Sequence, residues 1–267
     1  MMLPNYMQMR GLARGLGGVV RAWPLVEEAT RWRVDIEALD AMVSPTTKLI
    51  LLCNPNNPTG ARLTADELNE ICRVAGRVGA WIVSDEIYRG AELDSIETAT
   101  IWGRYDRAIV TSGLSKAFGL PGLRIGWVVG PPGLIDELWG VHDYTSIAPG
   151  ALNDRLARVA LARRDFILAR TRGIVAANYP LVRKWIEGRG PALTHVAPEA
   201  GAIVFVRYRQ AINSTALVER LRDDQSVLLV PGDHFEMDGY LRIGFGNHPA
   251  HLASALELVG KVLDGIA

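Results

Sequence analysis

Lys116 stands where a lysine has little structural use. Thr111–Trp127 reads TSGLSKAFGLPGLRIGW. The run before the lysine, Ala108-Ile109-Val110, reads as a buried strand, and Ser112-Gly113 breaks it. The lysine therefore belongs to a loop just past a strand end, where open α/β sheets bind ligands. Two hydroxyls, Ser112 and Ser115, precede it, and one guanidinium, Arg124, follows. Hydroxyls with an arginine fork satisfy a phosphate dianion. The set points to an imine-forming amine held beside a phosphate.

Pyridoxal 5'-phosphate carries an aldehyde and a phosphate in one molecule. With S-x-x-S-K followed by G-L-P-G-L-R-I-G-W, the chain resembles the lysine signature of the class I/II pyridoxal-phosphate-dependent aminotransferases, the fold-type I family. Asn54–Gly60 (NPNNPTG) and Ser84–Tyr88 (SDEIY) carry the same resemblance at the expected order and distance. The resemblance implies that Lys116 forms a Schiff base with the cofactor and shuttles the substrate's Cα proton. It makes Asn57 and Tyr88 the hydrogen-bonding partners of the cofactor's phenolic oxygen. It makes Asp85 the partner of the pyridine nitrogen, where a carboxylate keeps the ring protonated and electron-withdrawing. Read on their own, NPNNPTG is a tight loop and Asp85 a helix cap or turn former. Pro4-Asn5-Tyr6 resembles the family's P-x-aromatic turn, with Tyr6 as the ring that stacks on the pyridine; alone, Tyr6 is an ordinary aromatic. Arg242 lies in GYLRIGFG, Gly239–Gly246, inside an alternating apolar strand. An arginine there reads as half of a buried ion pair. The resemblance makes it the fork that grips a substrate α-carboxylate, with Asn57 beside it. No metal is expected.

Two features depart from the family pattern. Gly113 stands three residues before the lysine, where the family has a serine, which leaves open whether Ser112 or Ser115 touches phosphate. The resemblance also implies a substantial segment ahead of the P-x-aromatic turn, with a phosphate-binding helix start and a tyrosine donated to a neighbouring subunit. The chain is thus expected to be an N-terminally truncated member.

These residues need a scaffold of strands and helices. Leu49–Cys53 reads as a strand buried on both faces. Thr64-x-x-Glu67 is a capping box that opens a helix with Leu68, Ile71, Cys72 and Ala75 on one face, closing near Gly76–Gly79. Trp81–Ser84 is the next strand, so the unit is a right-handed βαβ with Asp85 at its end. Arg107–Thr111 and Ile125–Gly130 read as further strands, and Pro131–Gly140 as a short exposed helix. Upstream, Gln8–Leu16 and Asp35–Val43 read as helices and Val19–Leu25 as a strand. Leu152–Trp185 has helical period and seven arginines, read as a solvated face with ion pairs. Strands at Ala202–Val206, Val227–Val230 and Tyr240–Ile243, with helices at Ser214–Arg222 and His248–Ile266, suggest a small α+β domain. The expected architecture is α/β, fold type I: a mostly parallel sheet flanked by helices over 1–150, then interdomain helices and a smaller C-terminal α+β domain over 151–267.

Composition sets the outer limits. Of the 267 residues 49% are apolar, enough for a substantial core, and 29 basic residues balance 29 acidic ones. Zero net charge argues against a nucleic-acid surface. No apolar run approaches membrane-spanning length, and no signal peptide is expected at the start. The two cysteines, Cys53 and Cys72, read as buried thiols in a reducing compartment. The reading is a cytoplasmic enzyme, a homodimer by resemblance, acting on an amino acid and a 2-keto acid. A lyase, cyclase or oxidase on the same cofactor shares every motif, and an inactive fragment is the remaining alternative.

Overall fold

The apolar run Leu49–Cys53 becomes the strand around which the first half assembles. The computed structural model describes residues 1–266. In chain order the elements are β1 (Met2–Leu3), α1 (Gln8–Gly15), β2 (Trp23–Glu27), β3 (Trp32–Val34), α2 (Ile36–Met42), β4 (Leu49–Cys53), α3 (Ala65–Val78), β5 (Trp81–Asp85), β6 (Ala108–Gly113) and β7 (Gly126–Val129). There follow α4 (Pro132–His142), α5 (Ala151–Ala162), α6 (Arg164–Glu187), β8 (Leu193–His195), β9 (Ile203–Tyr208), α7 (Ser214–Gln225), β10 (Val230–Pro231), β11 (Tyr240–Gly244) and α8 (Pro249–Asp264).

The central sheet runs β4-β5-β6-β7. β4, β5 and β6 are parallel, and β7 turns back antiparallel on β6. Four of the five β4 residues are buried, as an apolar strand covered on both faces requires. The crossover from β4 to β5 is α3, and its start is built as the sequence indicates. Thr64 Oγ1 accepts from the Glu67 amide at 3.1 Å, and Glu67 Oε2 accepts from the Thr64 amide at 2.8 Å. Gly79 closes the helix in the left-handed conformation that a Cβ disfavours (φ 67°).

A small mixed sheet, β1-β2-β3, leads into the central one, and an antiparallel sheet, β10-β11-β9-β8, forms the C-terminal part. One core lies under α2 and α3 against β2 to β6, and it also takes in Phe205, Phe235 and Tyr240 from the C-terminal sheet. A second core packs α6, α7 and α8 on the opposite face of that sheet. A third, small one, with Leu114, Ala117, Phe118, Ala157 and Leu168, underlies the lysine loop.

The structure departs from expectation in short or interrupted pieces. β1, β3 and β8 are two or three residues long, too short to show period-two alternation. Val19–Leu25 pairs only from Trp23 onwards, because Gly17 turns left-handed and Val19 is left exposed. Of Val227–Val230 only Val230 joins a strand. Ser226 adopts φ 55° to end α7 and the Val227 amide folds back to Leu221 O, which diverts the chain from the sheet. α4 runs through Gly140 to His142, since one helical glycine costs only about 1 kcal/mol. Thr64→Ala, which removes the side-chain half of the cap, is expected to cost about 1 kcal/mol in denaturant-induced unfolding. An unchanged midpoint would mean that tertiary packing alone sets the α3 start.

Candidate active site

Parallel pairing brings the three motifs to one sheet edge. Cys53 pairs in register with Asp85, and Asp85 with Thr111, so β4, β5 and β6 end side by side. The NPNNPTG loop, Asp85 and the lysine loop all leave from that edge. The Asn54 amide donates to Asp85 O at 2.9 Å and the Glu86 amide to Thr111 O at 2.8 Å, which stitches the strand ends together.

The three loop asparagines have different tasks. Asn54 accepts from the Leu63 amide at 2.9 Å and donates to Ala99 O at 3.0 Å. Asn56 accepts from the Thr59 amide and hydroxyl, and donates to Pro4 O at 3.1 Å, tying the P-N-Y turn to the loop. Asn57 reaches across to the C-terminal sheet, where its Oδ1 accepts from Arg242 Nη1 at 3.0 Å.

Arg242 is half-buried, and among the described residues no carboxylate lies within ion-pair distance. The expectation of a structural ion pair does not hold. The guanidinium instead lies over the Phe235 ring, 5.6 Å from its centroid. Burial pushes its pKa down from the ordinary arginine value, and the nearby Tyr88 and Tyr6 phenols oppose that shift. Tyr88 is buried, and burial raises its phenol well above the usual range, with Cys53, Asp85 and Tyr6 adding and Arg242 opposing. Tyr6 is about half exposed on the same side. The structure thus brings Tyr6, Asn57, Asp85, Tyr88 and Arg242 into one neighbourhood.

Burial also raises the Asp85 carboxyl. The Ile87 amide (3.1 Å), the Thr111 hydroxyl and the charge of Lys116 pull it back. Lys116 itself is exposed, in a loop held by the Ala117 amide on Ile87 O and the Leu120 amide on Leu114 O. Arg124 is exposed, with φ 50°, and donates to Pro121 O at 2.8 Å. Ser115 is part-buried in the lysine loop.

Ser112 points away from Asp85. Thr111 pairs in register with Asp85 and shares its face of the sheet, so its strand neighbour faces the other side. The Ser112 hydroxyl donates to Glu86 O at 3.2 Å and lines a separate cavity with Glu86, Phe118 and Trp127. Gly113 has its own reason. A Cβ there would stand 2.8 Å from Ile125 O and 3.0 Å from Gly126 Cα on the adjoining strand, so no serine fits without moving β7. Thr111 is a neighbour of Asp85 that the motifs did not mark; only the cross-strand register exposes it.

The family model for aminotransferase class I and II matches residues 1–259. The chain belongs to that family. It is 31% identical over 260 residues to capreomycidine synthase of Streptomyces vinaceus, covering 97% of this chain and 67% of the relative. It is 28% identical over 262 residues to an aspartate aminotransferase of Streptomyces avermitilis, covering 93% and 64%. A solved PLP-dependent aminotransferase from Streptococcus suis superposes with TM-score 0.92 at 36% identity, covering all of this chain and 70% of that one. The chain thus spans about two thirds of the length of the curated relatives it matches. The aminotransferase fold expected from the motifs is therefore present.

Membership implies pyridoxal 5'-phosphate as the cofactor, and the donor set fits it. A half-buried carboxylate, a phenol, an amide and an exposed lysine share one strand edge.

One consequence concerns Asp85. Its raised pKa means that the folded chain without cofactor holds the proton better than the unfolded chain, so stability falls as pH rises through the folded value. Asp85→Asn should therefore leave the cofactor-free protein as stable or more stable at neutral pH in thermal melts. A lower melting temperature would make the carboxylate structural.

Proposed function

We propose that this chain is a pyridoxal-phosphate-dependent aminotransferase that moves an amino group between an amino acid and a 2-keto acid. The observation that carries the reading is Arg242: a half-buried guanidinium with no carboxylate partner among the described residues, held by Asn57 beside Tyr88. Keeping a cation partly desolvated without a counter-charge is costly. A substrate α-carboxylate would supply that charge through a bidentate pair.

The bound cofactor supplies an aldehyde that captures an amine and a ring that withdraws electrons from Cα. Asp85 would hold the ring nitrogen's proton. Asn57 and Tyr88 would donate to the phenolic oxygen, Tyr6 would cover the ring, and Ser115 and Arg124 would bind the phosphate. Ser112, bonded to Glu86 O, is left out of the phosphate set. Arg242 orients the substrate so that its Cα hydrogen faces Lys116. The Lys116 amine removes that proton and returns it one carbon away, as base and then acid.

The division into a cofactor-binding part over 1–150 and a C-terminal part over 151–267 belongs to the same reading. Separate cores support it, with Phe205, Phe235 and Tyr240 joining the two. A homodimer is proposed with it, supported by the exposed apolar side chains Trp139, Leu152 and Phe166. Two free, buried cysteines support a reducing compartment such as the cytoplasm. Among the described residues no helix is long and apolar enough to cross a membrane. A second reading, a different reaction on the same cofactor, draws on the match to capreomycidine synthase.

Purified protein with added pyridoxal phosphate is expected to show a visible band that borohydride fixes onto the Lys116 peptide, and keto-acid-dependent amino exchange. A fixed label without exchange would favour the second reading; no label in a folded sample would overturn both. Lys116→Ala should lower turnover by at least about a thousandfold. Arg242→Lys should raise KM for the amino acid by roughly tenfold to a hundredfold, because an ammonium cannot grip both carboxylate oxygens. An unchanged KM would remove Arg242 from substrate binding.

A further inference from the structure

Glu92 is a fully buried carboxylate outside the constellation above, and no sequence motif marks it. Its Oε1 accepts three bonds: from the Gly90 amide at 2.9 Å, the Thr98 amide at 3.0 Å and the Thr98 hydroxyl at 2.8 Å. Its Oε2 has no hydrogen-bond partner and faces Arg172 Nη2 at 3.5 Å. Arg172, from α6, donates its Nε to Gly90 O at 3.0 Å. Gly90 is therefore gripped at its amide by Glu92 and at its carbonyl by Arg172. Glu92 also contributes to raising the Arg62 guanidinium above its ordinary value.

Gly90 is the point where three segments meet. It lies two residues after Tyr88, whose carbonyl accepts from the Ala91 amide at 3.0 Å. Its φ is +105°, and a Cβ there would stand 2.9 Å from Leu168 Cδ2 on α6 and 3.6 Å from Ala117 Cβ, the residue after Lys116. The Ala117 amide in turn donates to Ile87 O at 3.4 Å. The turn that carries Tyr88 and the loop that carries Lys116 thus lean on each other at a glycine that the ion pair holds.

A solvated turn would not need a buried charge for this. Burying an ion pair gains little stability in itself, whereas leaving one partner alone is costly. We propose that Glu92 and Arg172 are positioning residues for the reaction: clamped on Gly90, they set the phenol of Tyr88 and the amine of Lys116 in register. This rests on the functional reading above, which makes Tyr88 and Lys116 the groups that meet the cofactor.

The test uses the full chain and two conservative variants. Arg172→Lys keeps the charge but cannot bridge the Gly90 carbonyl and Glu92 together. Glu92→Gln keeps an acceptor for Gly90 and Thr98 but loses the charge facing Arg172. Amide hydrogen exchange, read without cofactor, is expected to quicken roughly tenfold at Tyr88–Ala91 and Leu114–Ala117 in both, while the α8 amides keep their parent rates. Unchanged exchange at both segments would overturn the clamp. With pyridoxal phosphate added, the pH midpoint of the visible band at Lys116 is expected to move by about half a unit or more. Quickened exchange with an unmoved midpoint would overturn the positioning role and leave a purely structural pair. A parent protein that forms no band would instead overturn the reading of the site itself. Should Arg172→Lys fail to fold, Glu92→Gln carries both measurements.

Discussion

Parallel register is the constraint on which the rest depends. Cys53, Asp85 and Thr111 pair across β4, β5 and β6, so three loops far apart in the chain leave from one edge. A one-residue slip would turn Asp85 and Thr111 to the opposite face and exchange them for Ser84 and Ser112. The Asn54–Asp85 and Glu86–Thr111 backbone bonds hold that edge beyond the strands proper.

On this edge the molecule concentrates groups that are poor choices for stability. Burial raises the carboxyl of Asp85 and the phenol of Tyr88, and it weakens the hold of Arg242 on its proton. Among the described residues no carboxylate neutralises Arg242, while comparable arginines elsewhere find carboxylates, as Arg62 does with Asp94 and Arg31 with Glu67. The contrast sets Arg242 apart from ordinary surface pairing. A ligand with one carboxylate and a cationic ring nitrogen would offset both misplaced charges at once.

Close backbone approach supplies the remaining precision. Gly60 leaves room for Pro198 and Ala200, and its carbonyl accepts from the Glu199 and Ala200 amides at 3.0 Å each, joining the NPNNPTG loop to the C-terminal part. Gly90 does the same for α6, and Gly113 for β7. At these points a methyl group would separate elements that must touch for Asn57 to meet Arg242 or for the Tyr88 turn to pack on the Lys116 loop.

The sequence by itself determined the pieces whose physics is local. The capping box at Thr64, the apolar run of β4, the loop character of NPNNPTG and the placement of Lys116 beyond a strand end follow from neighbouring residues alone. So did membership of the family, because its three motifs stand in order. Only the tertiary structure decided which partners those residues meet. It separated Asn57 from Asn54 and Asn56, turned Ser112 away, gave Gly113 its steric reason, added Thr111 to Asp85 and left Arg242 without a carboxylate. Each depends on contacts between residues from about a dozen to nearly two hundred positions apart, across strands or between sheets. Helical and strand periods record which side of an element is buried; they hold no record of what lies opposite.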